Sequence, residues 1–295
     1  MKKKIFLSFF VFVALFTITG CGGKKGNEVP VKDAEEIKDD DKDVTNEISR
    51  ANIKETVLLD KDDIKITAKS ISYDSWLGTE IKLLIENNTQ KNIIVQADNF
   101  SVNGIMIDPL FSANVAAGKK ANDEITISDD DLEIANITTI KDIEFDFRII
   151  NDDDWTDSRD EKGIKLETDA TGYVQKYNTD GKLVVDQNDI KIYVLKKAEE
   201  DSFWGAEIYV YIENNSSKNI MVQSRDVSVN GFMMTPAFSS TITAGKKAYD
   251  TITFFESDLK DNDITDIKEL ELKFTVMDAD SWKEIIKTDT LKISF

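Results

Sequence analysis

Between residues 182 and 295 apolar and polar side chains alternate in short bursts instead of at helical period. Ala206-Glu207-Ile208-Tyr209-Val210-Tyr211-Ile212 is rich in β-branched and aromatic residues and halts at Glu213-Asn214-Asn215-Ser216, a strand pattern ended by turn formers. Asn219 to Val229 is a second such run, closed by Asn230-Gly231, whose tolerance of positive φ suits a tight hairpin. Ile190 to Val194, Thr251 to Phe255, Leu270 to Val276 and Leu291 to Phe295 predict further strands, and Glu256 to Ile264 has room for one helical turn. Short strands with frequent turn signals predict an all-β sandwich, immunoglobulin-like in the broad sense. The Cys-Trp-Cys spacing of antibody domains is absent.

The same pattern occurs twice. Ile85-Glu86-Asn87-Asn88 returns as Ile212-Glu213-Asn214-Asn215, and Ser101-Val102-Asn103-Gly104 as Ser228-Val229-Asn230-Gly231. Ala117-Gly118-Lys119-Lys120-Ala121 returns as Ala244-Gly245-Lys246-Lys247-Ala248, and Trp155 matches Trp282. Each pair is offset by 127, and about half the positions from Thr79 to Phe147 are identical to their partners. Two tandem copies are therefore expected at 56–168 and 182–295, each near the usual size of a domain with its own core. Residues 169–181 form a polar linker between them, with Tyr173 to Asp186 read as a hairpin turning at Asn178-Thr179-Asp180-Gly181.

The start of the chain has a different character. Lys2-Lys3-Lys4 precedes an apolar stretch from Ile5 to Ile18, shorter than the ~20 residues of a membrane span and suited to a signal peptide over 1–20. The stretch ends in Ile18-Thr19-Gly20-Cys21, which resembles the lipobox of bacterial lipoproteins. That resemblance implies diacylglyceryl transfer to the Cys21 sulfur and cleavage before it. Residues 21–55 read as a lipidated Cys followed by an acidic tether; Lys32 to Asp43 is nearly all charge and cannot offset the entropy of ordering. A coil of that length spans roughly 30–35 Å.

Composition narrows the chemistry. There is no His and one Cys among 295 residues, which excludes a Ser-His-Asp triad, imidazole metal ligation and an internal disulfide. A formal charge of −19 argues against a nucleic-acid partner. No cofactor and no metal is expected.

Phe203-Trp204-Gly205, the Ile-Glu-Asn-Asn and Ser-Val-Asn-Gly segments, and Ala-Gly-Lys-Lys-Ala before Tyr249-Asp250 resemble a largely uncharacterised module of surface lipoproteins and membrane-anchored proteins of Gram-positive bacteria. The resemblance covers both copies and is closer in the second; the first has Trp76-Leu77-Gly78 and Asn122 at the corresponding places. It implies an immunoglobulin-like sandwich outside the cell, with no catalytic residues to carry over.

Three groups of side chains are candidates for function. Trp76, Trp155, Trp204 and Trp282 offer a platform for a sugar or peptide, or else plug the ends of their cores. The Lys119-Lys120 and Lys246-Lys247 pairs read as solvated turns with capacity for an anionic polymer. Shared acids (Asp123/Asp250, Asp131/Asp258, Asp153/Asp280) are the better positions for Ca²⁺ ligation, with solvated loop charge as the alternative; Lys176 to Gln187 lacks the end ligands of an EF-hand loop. No spacing singles out a catalytic carboxylate pair. The expectation is a non-enzymatic, extracytoplasmic lipoprotein whose tandem modules bind an extracellular protein or glycan, or act as spacers. The alternatives are an accessory subunit of a transport or wall-assembly system and a carboxylate-dependent enzyme.

Overall fold

The computed structural model describes residues 49–198, 202 and 204–295. Cys21, the apolar leader and most of the acidic tether lie outside the described residues, as does Phe203. The first copy contains β1 (Thr56–Lys61), β2 (Ile64–Ser75), β3 (Gly78–Asn87), β4 (Ile93–Val102), β5 (Ile105–Met106), β6 (Ser112–Val115), β7 (Lys119–Ile127), α1 (Asp129–Ile134), β8 (Asp142–Asn151) and β9 (Asp154–Glu167). The second repeats this order as β10 (Lys182–Gln187), β11 (Ile190–Lys197), β12 (Gly205–Asn214), β13 (Ile220–Val229), β14 (Phe232–Met233), β15 (Ser239–Ile242), β16 (Lys247–Phe255), α2 (Glu256–Asp261), β17 (Glu269–Asp278), β18 (Glu284–Lys287) and β19 (Leu291–Ser294). The protein is an all-β tandem sandwich.

In each copy four strands make one antiparallel sheet, β1-β2-β3-β7 or β10-β11-β12-β16. The other sheet is built on β4-β8-β9 or on β13-β17 with β18 and β19, and the short β5/β6 or β14/β15 pair lies on its outer edge. Inward residues of the two sheets make the core. In the first copy Ile66, Ile81, Leu83 and Ile125 meet Val95, Phe100, Phe145 and Phe147; in the second Ile192, Ile208, Val210 and Ile252 meet Val222, Leu272, Phe274 and Val276.

The repeated motifs are the polar fixings of this sandwich. Asn87 is fully buried at the end of β3, where its Nδ2 donates to the carbonyls of Lys91, Val115 and Ala116 at 2.8–3.2 Å. Asn214 does the same for Lys218, Ile242 and Thr243. One buried amide thus ties the loop after β3 or β12 to the end of β6 or β15 through a cluster of carbonyls shared by its two N–H donors, a local reason for Ile-Glu-Asn-Asn in both copies. Asn103-Gly104 and Asn230-Gly231 have φ of +52°, +78°, +50° and +88°, the left-handed pair of a type I′ hairpin turn. Glycine is required for another reason at Gly78 and Gly205: a Cβ there would meet the Ile127 or Phe254 carbonyl oxygen at 2.2 or 2.1 Å.

Two sequence expectations differ. No hairpin forms from Tyr173 to Asp186, because residues 173–181 carry no strand and β10 begins only at Lys182. The linker is instead an irregular strap, held by its side chains. The sheets of the two copies are also not separate, a feature no motif announced. β16 pairs in parallel with β5, Lys247 opposite Ile105 and Ala248 opposite Met106. The result is one sheet of nine strands that runs through both copies.

Candidate functional site

The joint between the copies is built from three stretches distant in sequence. From the first copy come β5 and α1, from the second β16 and β12, and across them lies the linker strap. At its centre the Lys247 N–H donates to the Gly104 carbonyl at 3.0 Å, and Lys246 Nζ reaches Glu144 Oε2 at 2.6 Å. Glu144 also accepts from Lys165 through Oε1 at 2.8 Å, and these two cations hold its carboxyl below the usual range. The Lys246-Lys247 pair is therefore not a solvated turn: Lys247 Nζ lies 4.6 Å from the Tyr177 ring, a cation–π contact with the strap.

Tyrosines fasten the strap to the second copy. Tyr211 is fully buried, with its ring centroid 4.6 Å from Tyr249, 5.8 Å from Tyr193 and 6.2 Å from Tyr177. Tyr249 Oη donates to the Asn178 carbonyl and accepts from the Asn178 N–H. Burial pushes the Tyr249 phenol up to about 12, so it stays protonated and keeps this bond at any physiological pH. The first copy has Thr67, Leu84 and Asn122 where the second has Tyr193, Tyr211 and Tyr249. The cluster belongs to the joint and not to the repeated module.

Two grooves flank this joint. The smaller, about 280 Å³, is lined by Met106, Ile107, Asp108, Asp131, Tyr249 and Asp250 among others. Here two of the shared acids meet from different copies, Asp131 on α1 and Asp250 on β16. Burial, with Asp108, Asp130 and Asp250 nearby, raises the Asp131 carboxyl to about 6, and burial raises Asp250 as well. Such groups carry a proton far more readily than surface carboxylates and can donate a hydrogen bond. Among the described residues no set of three or more acids is placed to hold a metal ion. Asp153 and Asp280 sit apart, in the loops after β8 and β17.

The larger groove, about 930 Å³, is lined by Tyr177, Tyr209 and Tyr249 with Asp130, Glu133 and Lys196 at its polar margin. Its size is that of a small-ligand or peptide site. Its lining sets three tyrosines beside carboxylates and amides, residue types that contact a sugar or an extended peptide through both apolar area and hydrogen bonds. Sequence reasoning missed it because α1, the strap, β11, β12 and β16 each supply a part.

All four tryptophans are exposed: Trp76 by 90 %, Trp155 by 63 %, Trp204 by 63 % and Trp282 by 65 %. None plugs a core. Trp76 occupies the tip between β2 and β3, whereas Trp155 opens β9 beside the start of β4. The ten residues of β3 separate those ends, a distance of about 30 Å. The two rings of one copy therefore cannot form a single platform. Trp204 and Trp282 occupy the corresponding ends of the second copy. The lipidation position Cys21 lies outside the described residues.

No family model matches the sequence, and no curated protein is similar to it. Among solved structures the YadV chaperone superposes over 79 % of this chain and 100 % of its own, at 11 % identity and a TM-score of 0.24. A superposition that loose carries no functional argument.

Proposed function

We propose that the protein is a non-enzymatic lipoprotein at the outer face of the cell membrane, anchored through Cys21, that binds an extracellular glycan or peptide in the tyrosine-lined groove between its two sandwiches. The observation that supports this reading most is the groove itself: about 930 Å³, bordered by Tyr177, Tyr209 and Tyr249, on a joint stiffened by a shared sheet. A bare spacer needs neither the aromatic lining nor the rigid join. The exposed tryptophans at opposite ends support additional contacts with large partners. The lipobox-like Ile18-Thr19-Gly20-Cys21 and the acidic segment after it support the address; two or three acyl chains hold a protein at a bilayer stably, where one is marginal.

Two experiments test the reading. Metabolic labelling with an alkynyl fatty acid should mark the native chain and not Cys21→Ser; label that persists on the variant would remove the anchor. A pull-down from intact cells with residues 45–295 should retain a glycan or peptide that competes with itself in free form and is lost on Tyr209→Ala.

A further inference from the structure

We infer that copies of this chain join head to tail by repeating, between molecules, the joint that connects the two copies within one molecule. In that joint the edge strand β5 of the first copy receives the Lys247-Ala248 start of β16. The 127-residue offset carries each part of it onto a second, unused set: β5 onto β14, Gly104 onto Gly231, Lys246-Lys247-Ala248 onto Lys119-Lys120-Ala121, and Glu144 onto Glu271. Both halves of the contact are thus present at opposite ends of the molecule.

Both halves are also open. β14 pairs only with β13, and the Lys119–Asn122 half of β7 pairs only with β3, among the described residues. Ile105 in β5 is fully buried, but Phe232 and Met233 in β14 are exposed by 48 % and 69 %. A short edge strand with two large apolar side chains and no covering element among the described residues is a template for strand addition.

The charges correspond, although Lys292 also pairs with Glu269 at 2.7 Å. Glu144 gives Oε1 to Lys165 and Oε2 to Lys246. Glu271 gives Oε1 to Lys292, the counterpart of Lys165, and its Oε2 has no partner among the described residues. Lys119, the counterpart of Lys246, has no ion-pair partner there either. Lys119 of one chain and Glu271 of the next would complete the pair that Lys246 and Glu144 make inside each chain.

Differences set the strength. Tyr249 is replaced by Asn122 and Thr243 by Ala116, and the covalent strap is absent, so the contact between molecules lacks the tyrosine fastening and is weaker than its internal counterpart. It is heterologous, with different surfaces on each side, so it propagates into open rows instead of closing a dimer.

Cross-linking of the full chain in intact cells tests this. Lys120→Cys and Phe232→Cys place thiols at exposed positions equivalent to the Lys247–Ile105 pairing, and a short membrane-impermeant bismaleimide joins thiols that meet. The parent chain, whose one cysteine is Cys21, gives the background. The double variant is expected to give dimers, trimers and higher rows, and a mixture of the two single variants only dimers containing one of each. Adding Glu271→Lys should lower the yield several-fold, and Glu271→Lys with Lys119→Glu should restore it. Yields at background, single variants that cross-link to themselves as well as to each other, or a yield indifferent to charge reversal would each overturn the proposal.

Discussion

Lys246 Nζ stands 2.6 Å from Glu144 Oε2, so a lysine of the second copy is ion-paired to a glutamate of the first. With side-chain exposures of 19 % and 32 %, the pair is better shielded than a surface salt bridge. A double-mutant cycle with Lys246→Ala and Glu144→Ala, followed by urea unfolding, should give a coupling of about 0.5–1.5 kcal/mol. Because the cations depress the Glu144 carboxyl, that coupling is present above the ordinary glutamate range and is lost as the pH falls through the folded value.

Asn87 and Asn214 should be the most costly polar positions in their copies. Replacing either by Ala removes the donor shared by a cluster of carbonyls in a buried corner, and a loss of about 2–4 kcal/mol is expected. Exposed Asn88→Ala, one residue further on, should cost less than about 0.5 kcal/mol. Equal losses at the two positions would contradict the role of the buried amide.

Asp131, unlike the ion-paired carboxylates, contributes less to stability at neutral pH than in mild acid. Its folded value of about 6 lies above the 3.8 of an ordinary aspartate, so the native state binds more protons between those values and stability falls as the pH rises through them. Asp131→Asn should therefore stabilise at pH 8 by about 1–3 kcal/mol and change little at pH 4. Urea melts at both pH values check this; stabilisation of the same size at both would not fit.

The tryptophans report exposure directly. All four rings face solvent, so native emission should be close to that of the unfolded chain and open to acrylamide quenching. A strong red shift on unfolding would mean that at least one ring is buried.

The repeat was the most informative feature of the sequence. Its 127-residue offset, its alternating strands and its Asn-Gly turns were all readable because each depends on local backbone preference. The joint was not. Lys119 and Lys246 occupy identical motifs, yet one is exposed and the other ion-paired across copies; the difference arises from which edge strand each copy meets. The tryptophans were legible as repeated rings but not as exposed ones, because an apolar side chain at a hairpin tip follows the turn and not the core. The groove was invisible for a related reason: Tyr177, Tyr209 and Glu133 come together only through the strap and the shared sheet.

The reading of this molecule as a binding protein is tested most directly by quantitative binding of fluorescent residues 45–295 to cells lacking the protein. Binding should be saturable. It should weaken about tenfold or more on Tyr209→Ala, the size of effect seen when an aromatic anchor is removed, in a variant that thermal melting shows to be folded at the temperature of the assay. Non-saturable binding, or an affinity that Tyr209→Ala leaves intact, would contradict it.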